Sequence, residues 1–450
     1  MKLKLRQEIS AIESNKRLKT VKKMISTVRG VHDILNQDTP TWQYLEATAR
    51  RVFAQYGYGE IRTPIFEKSE LFARAVGATS DIVEKEMYTF ADRGGDSLSL
   101  RPEGTASVVR AFINNSMHRT LPWRVYYMGP MFRYERPQKG RQRQFHQIGC
   151  ELFGPQGPLA DAEVMAMVMA FFAEAGVVGN LVLEINSLGC GECRGPYREK
   201  LLTFLKANQE TLCENCLNRM ERNPLRVLDC KKATCGEVAK AAPHMPDHLC
   251  GVCSEHFAGL KSHLTILEQP FVHNPLMVRG LDYYNRTAFE VTTDALGAQN
   301  AVAAGGRYDG LVAEMGGQST PAIGFAMGLE RLVLLLQQNR VVVPTVTVYL
   351  VAVGDGADGA GLYLAEQLRR AGLKVEMNLN QGSMKSQMKR AGRSEAPITA
   401  IIGESEVGTK SVVIKNMVNG EQETVAIAGA VDFVNSLIEN IKRMDHGADR

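Results

Sequence analysis

The sequence predicts an α+β fold: an antiparallel sheet in the larger N-terminal part, a cysteine-rich insertion within it, and a separate α/β domain at the C-terminus. Three observations carry this. From 61 to 155, short β-prone runs such as 97–101 and 124–128 alternate with Gly and Pro breaks, a pattern that favours antiparallel pairing over βαβ units. Eight of the nine cysteines lie between Cys190 and Cys253. Beyond Pro344, apolar strand-like runs alternate with helical stretches.

Along the chain, Asp38-Thr-Pro40 offers a helix start, and Trp42, Leu45, Ala49, Val52 and Phe53 then recur at helical spacing. Residues 161–176 read as an Ala/Met-rich helix and 181–186 as a strand ending at Gly189. Strands return at 288–293 and around Ala301, and 323–338 reads as one apolar helix. In the last part, strands at 346–353, 374–377 and 398–402 alternate with helices at 360–371 and 383–390 and a terminal helix. The expected division is a basic extension at 1–24, a main domain at 25–343 with its insertion at 190–270, and the α/β domain at 344–450.

The chain has 450 residues, 44% hydrophobic and 23% charged, with a formal net charge of +4. Its first 23 residues hold eight Lys/Arg against Glu8 and Glu13, so the rest is slightly acidic. Any nucleic-acid contact must therefore use local patches. No run approaches the ~20 apolar residues of a membrane helix, and there is no apolar signal-peptide core. A cytoplasmic protein without membrane contact is the expectation, and clustered cysteines then favour metal binding over disulfides.

Gly354-Asp-Gly356-Ala-Asp-Gly359 has the spacing of a dinucleotide-binding loop. Asp355 and Asp358 would set two negative charges beside a pyrophosphate, and the domain is too small for the full dinucleotide fold. It reads as a Gly-rich turn. No Walker A motif occurs either.

Chemistry concentrates in residues 131–151. Arg133, Arg136, Lys139, Arg141 and Arg143 fall within eleven residues, and Pro137 and Gly140 imply a turn between two strands. Strand alternation puts Arg133 and Glu135 on one face, and Phe145, Gln147, Gly149 and Glu151 on one face. A guanidinium, an aromatic ring, an amide and a carboxylate together suit a nucleotide plus a small charged acid. By charge alone, an ATP site and a solvated basic hairpin fit equally. Three further segments stand out: Leu100-Arg-Pro-Glu-Gly-Thr105, Arg279-Gly-Leu-Asp-Tyr-Tyr284 with Gly305-Gly-Arg-Tyr-Asp-Gly310, and residues 322–331 ending in Glu330-Arg331. An arginine opening an apolar helix needs an anionic partner, for which Glu330 is one candidate.

In order and spacing these segments resemble the catalytic domain of class II aminoacyl-tRNA synthetases, and within them the histidyl-tRNA synthetase family. Residues 61–77 resemble motif 1, which builds a dimer interface; the arginine hairpin resembles motif 2; and 321–336 resemble motif 3. The RGLDYY and GGRYDG segments resemble the two histidine signatures, and Arg29-Gly-Val-His-Asp33 the usual N-terminal start. The resemblance runs from about residue 28 to the C-terminus.

The resemblance implies a sheet flanked by helices, a helical insertion, a C-terminal anticodon-binding domain and a homodimer. It implies activation of L-histidine by ATP with Mg²⁺, then transfer to tRNA(His). Arg133, Arg279 and Arg331 would be catalytic, with Arg279 supplying positive charge at the α-phosphate. Arg133, Glu135, Arg141, Phe145 and Arg331 would bind ATP. Glu103, Gly104, Thr105, Gln147, Glu151, Tyr283, Tyr284, Gly305 and Gly306 would hold histidine, Glu151 and Tyr284 at the imidazole. The turn at 136–144 would reach the acceptor end of the tRNA, with Gln138 a candidate base reader. The alternative is a non-catalytic paralogue, a regulatory subunit of ATP phosphoribosyltransferase, which typically lacks the anticodon domain and the full set of ATP arginines.

The family likeness does not decide what the cysteines do. Cys190/Cys193, Cys213/Cys216, Cys230/Cys235 and Cys250/Cys253 form four close pairs, the first two at zinc-ribbon spacing from each other. One or two structural zinc ions are the expectation, and reduced cysteines in a helical lobe the alternative.

Overall fold

The computed structural model describes residues 25–77, 80–138, 140–177, 181–296, 300–338, 346–380 and 382–447. The basic extension, Lys139 and the boundary at Pro344 lie outside them. The described residues divide into two units, one of 25–34 together with 45–338, the other of 35–44 together with 346–447.

The first unit is organised by an eight-stranded sheet in the order β1-β5-β6-β11-β10-β9-β7-β8. Its strands are β1 (Gly59–Glu60), β5 (Trp123–Phe132), β6 (Gln144–Phe153), β7 (Val182–Ser187), β8 (Val272–His273), β9 (Asn285–Thr292), β10 (Ala301–Arg307) and β11 (Ala322–Gly328). All neighbours run antiparallel except β1 with β5 and β7 with β8. A small antiparallel sheet of β2 (Phe66–Lys68), β4 (Ser97–Leu100) and β3 (Thr89–Ala91) lies in the same unit.

Pleat alternation sorts the sheet into two faces. Phe53 from helix Thr39–Gln55 has its ring 5.4 Å from that of Tyr126 and 6.2 Å from those of Phe171 and Phe325. Phe171 belongs to helix Pro158–Glu174, nearly every inward residue of which is buried. This aromatic layer closes the back face. The front face carries Tyr127, Gln147, Glu151 and Gly324, which stand one residue out of phase with Tyr126, Ile148, Cys150 and Phe325. The back helix is tied down by a fully buried Arg307, whose Nε bonds Asp161 at 2.8 Å while its other nitrogens reach Asp309 and the carbonyls of Pro155 and Gly157. Each of the three guanidinium nitrogens thus has an acceptor, as burial of the charge demands.

The close spacing of β9, β10 and β11 requires Gly305. A methyl there would stand 2.3 Å from the Gly324 carbonyl oxygen and 2.7 Å from both the Phe289 ring and Phe325 Cβ. Gly305→Ala should cost about 3 kcal/mol, the upper range for overpacking, read as a lowered urea midpoint. An unchanged midpoint would show that the strands can separate freely.

The insertion is helical: Gly191–Ala207, Glu214–Met220, Ala233–Ala241 and the first turns of Gly251–Ile266 surround Tyr197, Leu201, Leu205, Val227 and Val238. The second unit holds a five-stranded sheet in the order β13-β12-β14-β15-β16. Here β12 (Val348–Val353), β13 (Val375–Met377) and β14 (Ile398–Gly403) are parallel, and β15 (Ser411–Asn416) and β16 (Gln422–Ala426) add an antiparallel edge. The Gly-rich turn after β12 is filled by protein: the Glu404 carboxylate accepts the Asp355 amide at 3.3 Å.

Three readings of local structure are corrected. The expected helix at 323–338 is a strand, β11, followed by helix Leu329–Gln338. A continuous apolar run fits a central strand as well as a buried helix, and Gly324 and Gly328 mark the strand part. The first hairpin strand ends at Phe132, so Arg133 and Glu135 stand in the connecting loop. Strands β15 and β16 were not anticipated at all.

Candidate active site

The front of the sheet holds a cleft of about 280 Å³, lined by β5, β6, β10, β11, the 133–142 loop and the 279–284 segment. The hairpin places its side chains by register: Met131 pairs with Phe145 and Gly129 with Gln147, so both lining residues of β6 point forward. Beyond Phe132, the Arg133 amide bonds the Arg143 carbonyl at 2.9 Å, and Gln138 bridges Arg141, closing the turn that Pro137 and Gly140 signalled.

The rim is cationic. Arg133 donates from Nε to the Pro102 carbonyl at 2.8 Å, and its guanidinium carbon lies 5.2 Å from the Phe145 ring centroid. Glu135 receives Arg141 at 2.9 Å and lies 3.9 Å from Arg133. Arg331 reaches across to the carbonyls of Gly140 and Ala301. Burial, with Arg141 nearby, holds its guanidinium below its ordinary value. Glu330 is not its partner: that carboxylate accepts the His146 amide at 2.9 Å and faces the His146 ring at 3.1 Å. Arg279 is largely but not fully buried, pairs with Glu290 and lies 5.2 Å from the Tyr284 ring. Burial penalises its charge, and the surrounding Tyr284 and Glu290 more than offset that penalty.

The floor carries two buried carboxyl groups. Glu103 accepts the amides of Thr105 at 2.7 Å and Ala106 at 2.9 Å, at the start of helix Thr105–Asn114. Burial raises its carboxyl, with those amides opposing. Glu151 is 1% exposed and accepts the Thr105 hydroxyl at 2.7 Å and the Tyr308 hydroxyl. Burial lifts it to about 8, despite the two hydroxyls. Two polar atoms of the cleft residues are buried without any hydrogen-bond partner: the Gln147 Oε1 and the Arg279 Nε. An orphaned acceptor and an orphaned donor in one cleft mark groups set up for a ligand. A cleft with arginines at its rim and carboxyl groups at its floor matches a ligand that is anionic at one end and cationic at the other.

The structure thus gathers Glu103, Thr105, Arg133, Glu135, Arg141, Phe145, Gln147, Arg279, Tyr283, Tyr284 and Arg331 around one cleft. Glu151, Gly104, Gly305 and Gly306 stand behind that lining. Gly104 and Gly149 leave room for the Tyr127 ring, 2.3 Å from where each Cβ would be. Gly306 sits at φ +158 against the Thr287 carbonyl, 2.5 Å from where its Cβ would be. Sequence reasoning gave no role to Tyr127, Glu290 or Tyr308, all of which bear on the site. Tyr308 lies inside the quoted GGRYDG segment, and Glu290 is a lone acid within the otherwise buried stretch 287–292 of β9.

Metal-ligating capacity lies elsewhere, in the insertion. Cys190, Cys193, Cys250 and Cys253 form one group and Cys213, Cys216, Cys230 and Cys235 a second, each with all sulfurs within 4.8 Å. The first pair meets the fourth and the second meets the third, so the zinc-ribbon spacing between the first two pairs was misleading.

Comparison with known proteins agrees with this geometry. Residues 30–332 match the family model described as Histidyl-tRNA synthetase, and 347–437 match an anticodon binding domain. The histidine--tRNA ligase of Syntrophotalea carbinolica is 50% identical over 406 residues, covering 90% of this chain and 97% of that protein. That of Geobacter metallireducens is 51% identical over 414 residues, covering 91% and 100%. The apo histidyl-tRNA synthetase of S. aureus superposes with a TM-score of 0.75 at 37% identity, over 91% of this chain and 100% of that one. With a cleft of this charge pattern on an antiparallel sheet, a family match over most of its length and relatives at half identity, the chain belongs to the histidyl-tRNA synthetase family.

Proposed function

We propose that this chain is a histidine–tRNA ligase: it joins L-histidine to ATP as histidyl-adenylate and then esterifies the 3′ end of tRNA(His). The observation that carries the reading is the two-ended cleft, with arginines where a triphosphate and carboxylate belong and the buried carboxyl groups of Glu103 and Glu151 toward the end where an ammonium and an imidazole N–H belong.

ATP enters as its Mg²⁺ complex. Arg133, Arg279 and Arg331 neutralise charge that builds on the α-phosphate as the histidine carboxylate attacks in line, with pyrophosphate leaving. Phe145 stacks on adenine, while Glu135 holds Arg141 toward the nucleotide. Gln147 Oε1 takes the substrate ammonium together with Glu103 and Thr105. Tyr284 and Glu151, the latter through its bonds to Thr105 and Tyr308, set the pocket for imidazole. No covalent nucleophile is needed. Apolar analogues leave these buried groups unpaired, which rejects them far more strongly than a missing methylene would.

The 136–144 loop reaches the acceptor end of the tRNA, with Gln138 in contact with a base. The second unit reads the anticodon, its Lys385, Lys389, Arg390, Arg393, Lys410 and Lys415 meeting phosphates. The chain works as a cytoplasmic homodimer; no described helix is long and apolar enough to cross a membrane. The regulatory-paralogue reading is disfavoured by the anticodon-domain match and by the complete arginine set.

The deciding experiment is ATP–pyrophosphate exchange run with each of the twenty amino acids in turn. Exchange with histidine alone is the expected result. Exchange with none would point to the non-catalytic paralogue, and exchange with another amino acid would overturn the pocket assignment.

A further inference from the structure

We infer that the insertion binds two zinc ions in nested four-cysteine sites, and that these ions brace the 279–284 segment of the active site from behind. The sulfur geometry carries the first part. Zinc at about 2.3 Å from each of four tetrahedral thiolates separates them by about 3.8 Å. Cys190 and Cys193 lie 3.7 Å apart, Cys190 and Cys250 3.8 Å, and Cys213 and Cys230 3.9 Å. A disulfide would bring a pair to about 2.05 Å. An iron–sulfur cluster spreads its thiolates over several irons, beyond the 4.8 Å that bounds each group. A single tetrahedral ion of soft preference fits both.

The surroundings are those of thiolate ligands. Backbone amides donate to sulfur in each site, from Cys250 to Cys193 at 3.1 Å and from Cys213 to Cys235 at 3.2 Å. Cys193, Cys216, Cys235 and Cys253 are at most 4% exposed and sit among Tyr197, Leu201, Met220, Val227 and Val238.

The second part follows from what the stapled segments hold. Arg194, one residue after Cys193, donates to the carbonyls of Leu188 and Tyr284. Arg226 donates to the carbonyls of Arg279 at 3.2 Å and Gly280 at 3.3 Å, and Asn223 to Asp282 at 3.1 Å. The Cys230 amide closes on the Val227 carbonyl, tying that turn to the second site. One site therefore supports the tyrosine end of the segment and the other its arginine end.

The metal claim stands apart from the ligase reading; the bracing claim rests on it. The test is elemental analysis of the purified full-length chain, with expected content about two zinc per chain. The double variants Cys193→Ser with Cys253→Ser, and Cys216→Ser with Cys235→Ser, should each keep one zinc, and Cys150→Ser both. If the double variants are insoluble, zinc released from the wild type by a mercurial titrant counts the sites. Co²⁺-substituted protein should show the visible bands of tetrahedral tetrathiolate cobalt. Fewer than ~0.2 zinc per chain, or iron in its place, overturns the metal claim. For the brace, each double variant should raise the KM for histidine about tenfold with the KM for ATP changed less. Zinc loss with unchanged KM for histidine overturns the brace and leaves the metal sites standing.

Discussion

Arg279→Ala should lower kcat/KM in histidine-dependent ATP–pyrophosphate exchange by about 10³-fold, the upper range for removing a single preorganised donor from a developing oxyanion. The expectation comes from three features of that side chain. Its side chain is only 14% exposed, so its field acts where water screens it weakly. It is fixed on one side by Glu290. Its Nε has no hydrogen-bond partner, so one donor is held ready at no cost of reorganisation. Arg279→Lys should recover little, because an ammonium lacks the rigid planar fork that pairs with Glu290 on one edge and presents Nε on another. The fold should survive. Glu290 keeps 24% side-chain exposure, so stranding it costs less than the ~3–5 kcal/mol of a fully buried broken pair. Circular dichroism and a melting curve check that control. Exchange within about fivefold of wild type in a folded variant would remove Arg279 from the chemistry.

How far the sequence carried this reading depended on distance along the chain. The arginine hairpin was legible because its logic is local: β5 and β6 are joined by one short turn, and alternation alone predicts that Phe145 and Gln147 face the same way. The environment of Glu151 was not legible. Its partners Thr105 and Tyr308 are 46 and 157 residues away in sequence. Tyr308 follows β10, which stands beside β6 only across β11, a strand order that no periodicity encodes, and Thr105 arrives from the start of a separate helix. The same limit explains the strand at Ala322–Gly328. An apolar run buried on both faces has no alternation to distinguish it from a buried helix. Strand β16 failed for the opposite reason: Gln422–Ala426 is an exposed edge, with little apolar pattern to detect. For the cysteines, spacing identified the pairs but not which pair meets which, since that is set by how four helices fold back on one another.

Glu151→Gln should change both the pH dependence of stability and the histidine affinity, in opposite senses. Buried without a cation in contact, the Glu151 carboxyl titrates at about 8 rather than near 4.5, so in the unliganded protein it holds its proton at neutral pH. The sign follows directly. A group whose folded pKa is raised contributes its full stability below the unfolded value and loses it as pH rises through the folded value. Wild-type stability should therefore fall between about pH 4.5 and pH 8, by a few kcal/mol at most. The glutamine variant should show a flatter curve over that window and a higher melting temperature at its upper end. Glu103 and other shared groups cancel in the comparison. Histidine binding should move the other way. A carboxylate accepts more strongly than a neutral group, here through the Thr105 and Tyr308 hydroxyls that it holds, and the site reaches that state by releasing the Glu151 proton when substrate arrives. An amide cannot supply the charge, so Glu151→Gln should raise the KM for histidine by about 10²-fold, the scale of a charged hydrogen bond lost in a dry pocket. Wild type should also release a proton on binding histidine near neutral pH, measurable as a buffer-dependent heat. Parallel melting-temperature curves for the two proteins, or an unchanged KM, would mean that Glu151 is ionised throughout and serves the fold alone. The high carboxyl pKa would then be no part of how histidine is recognised.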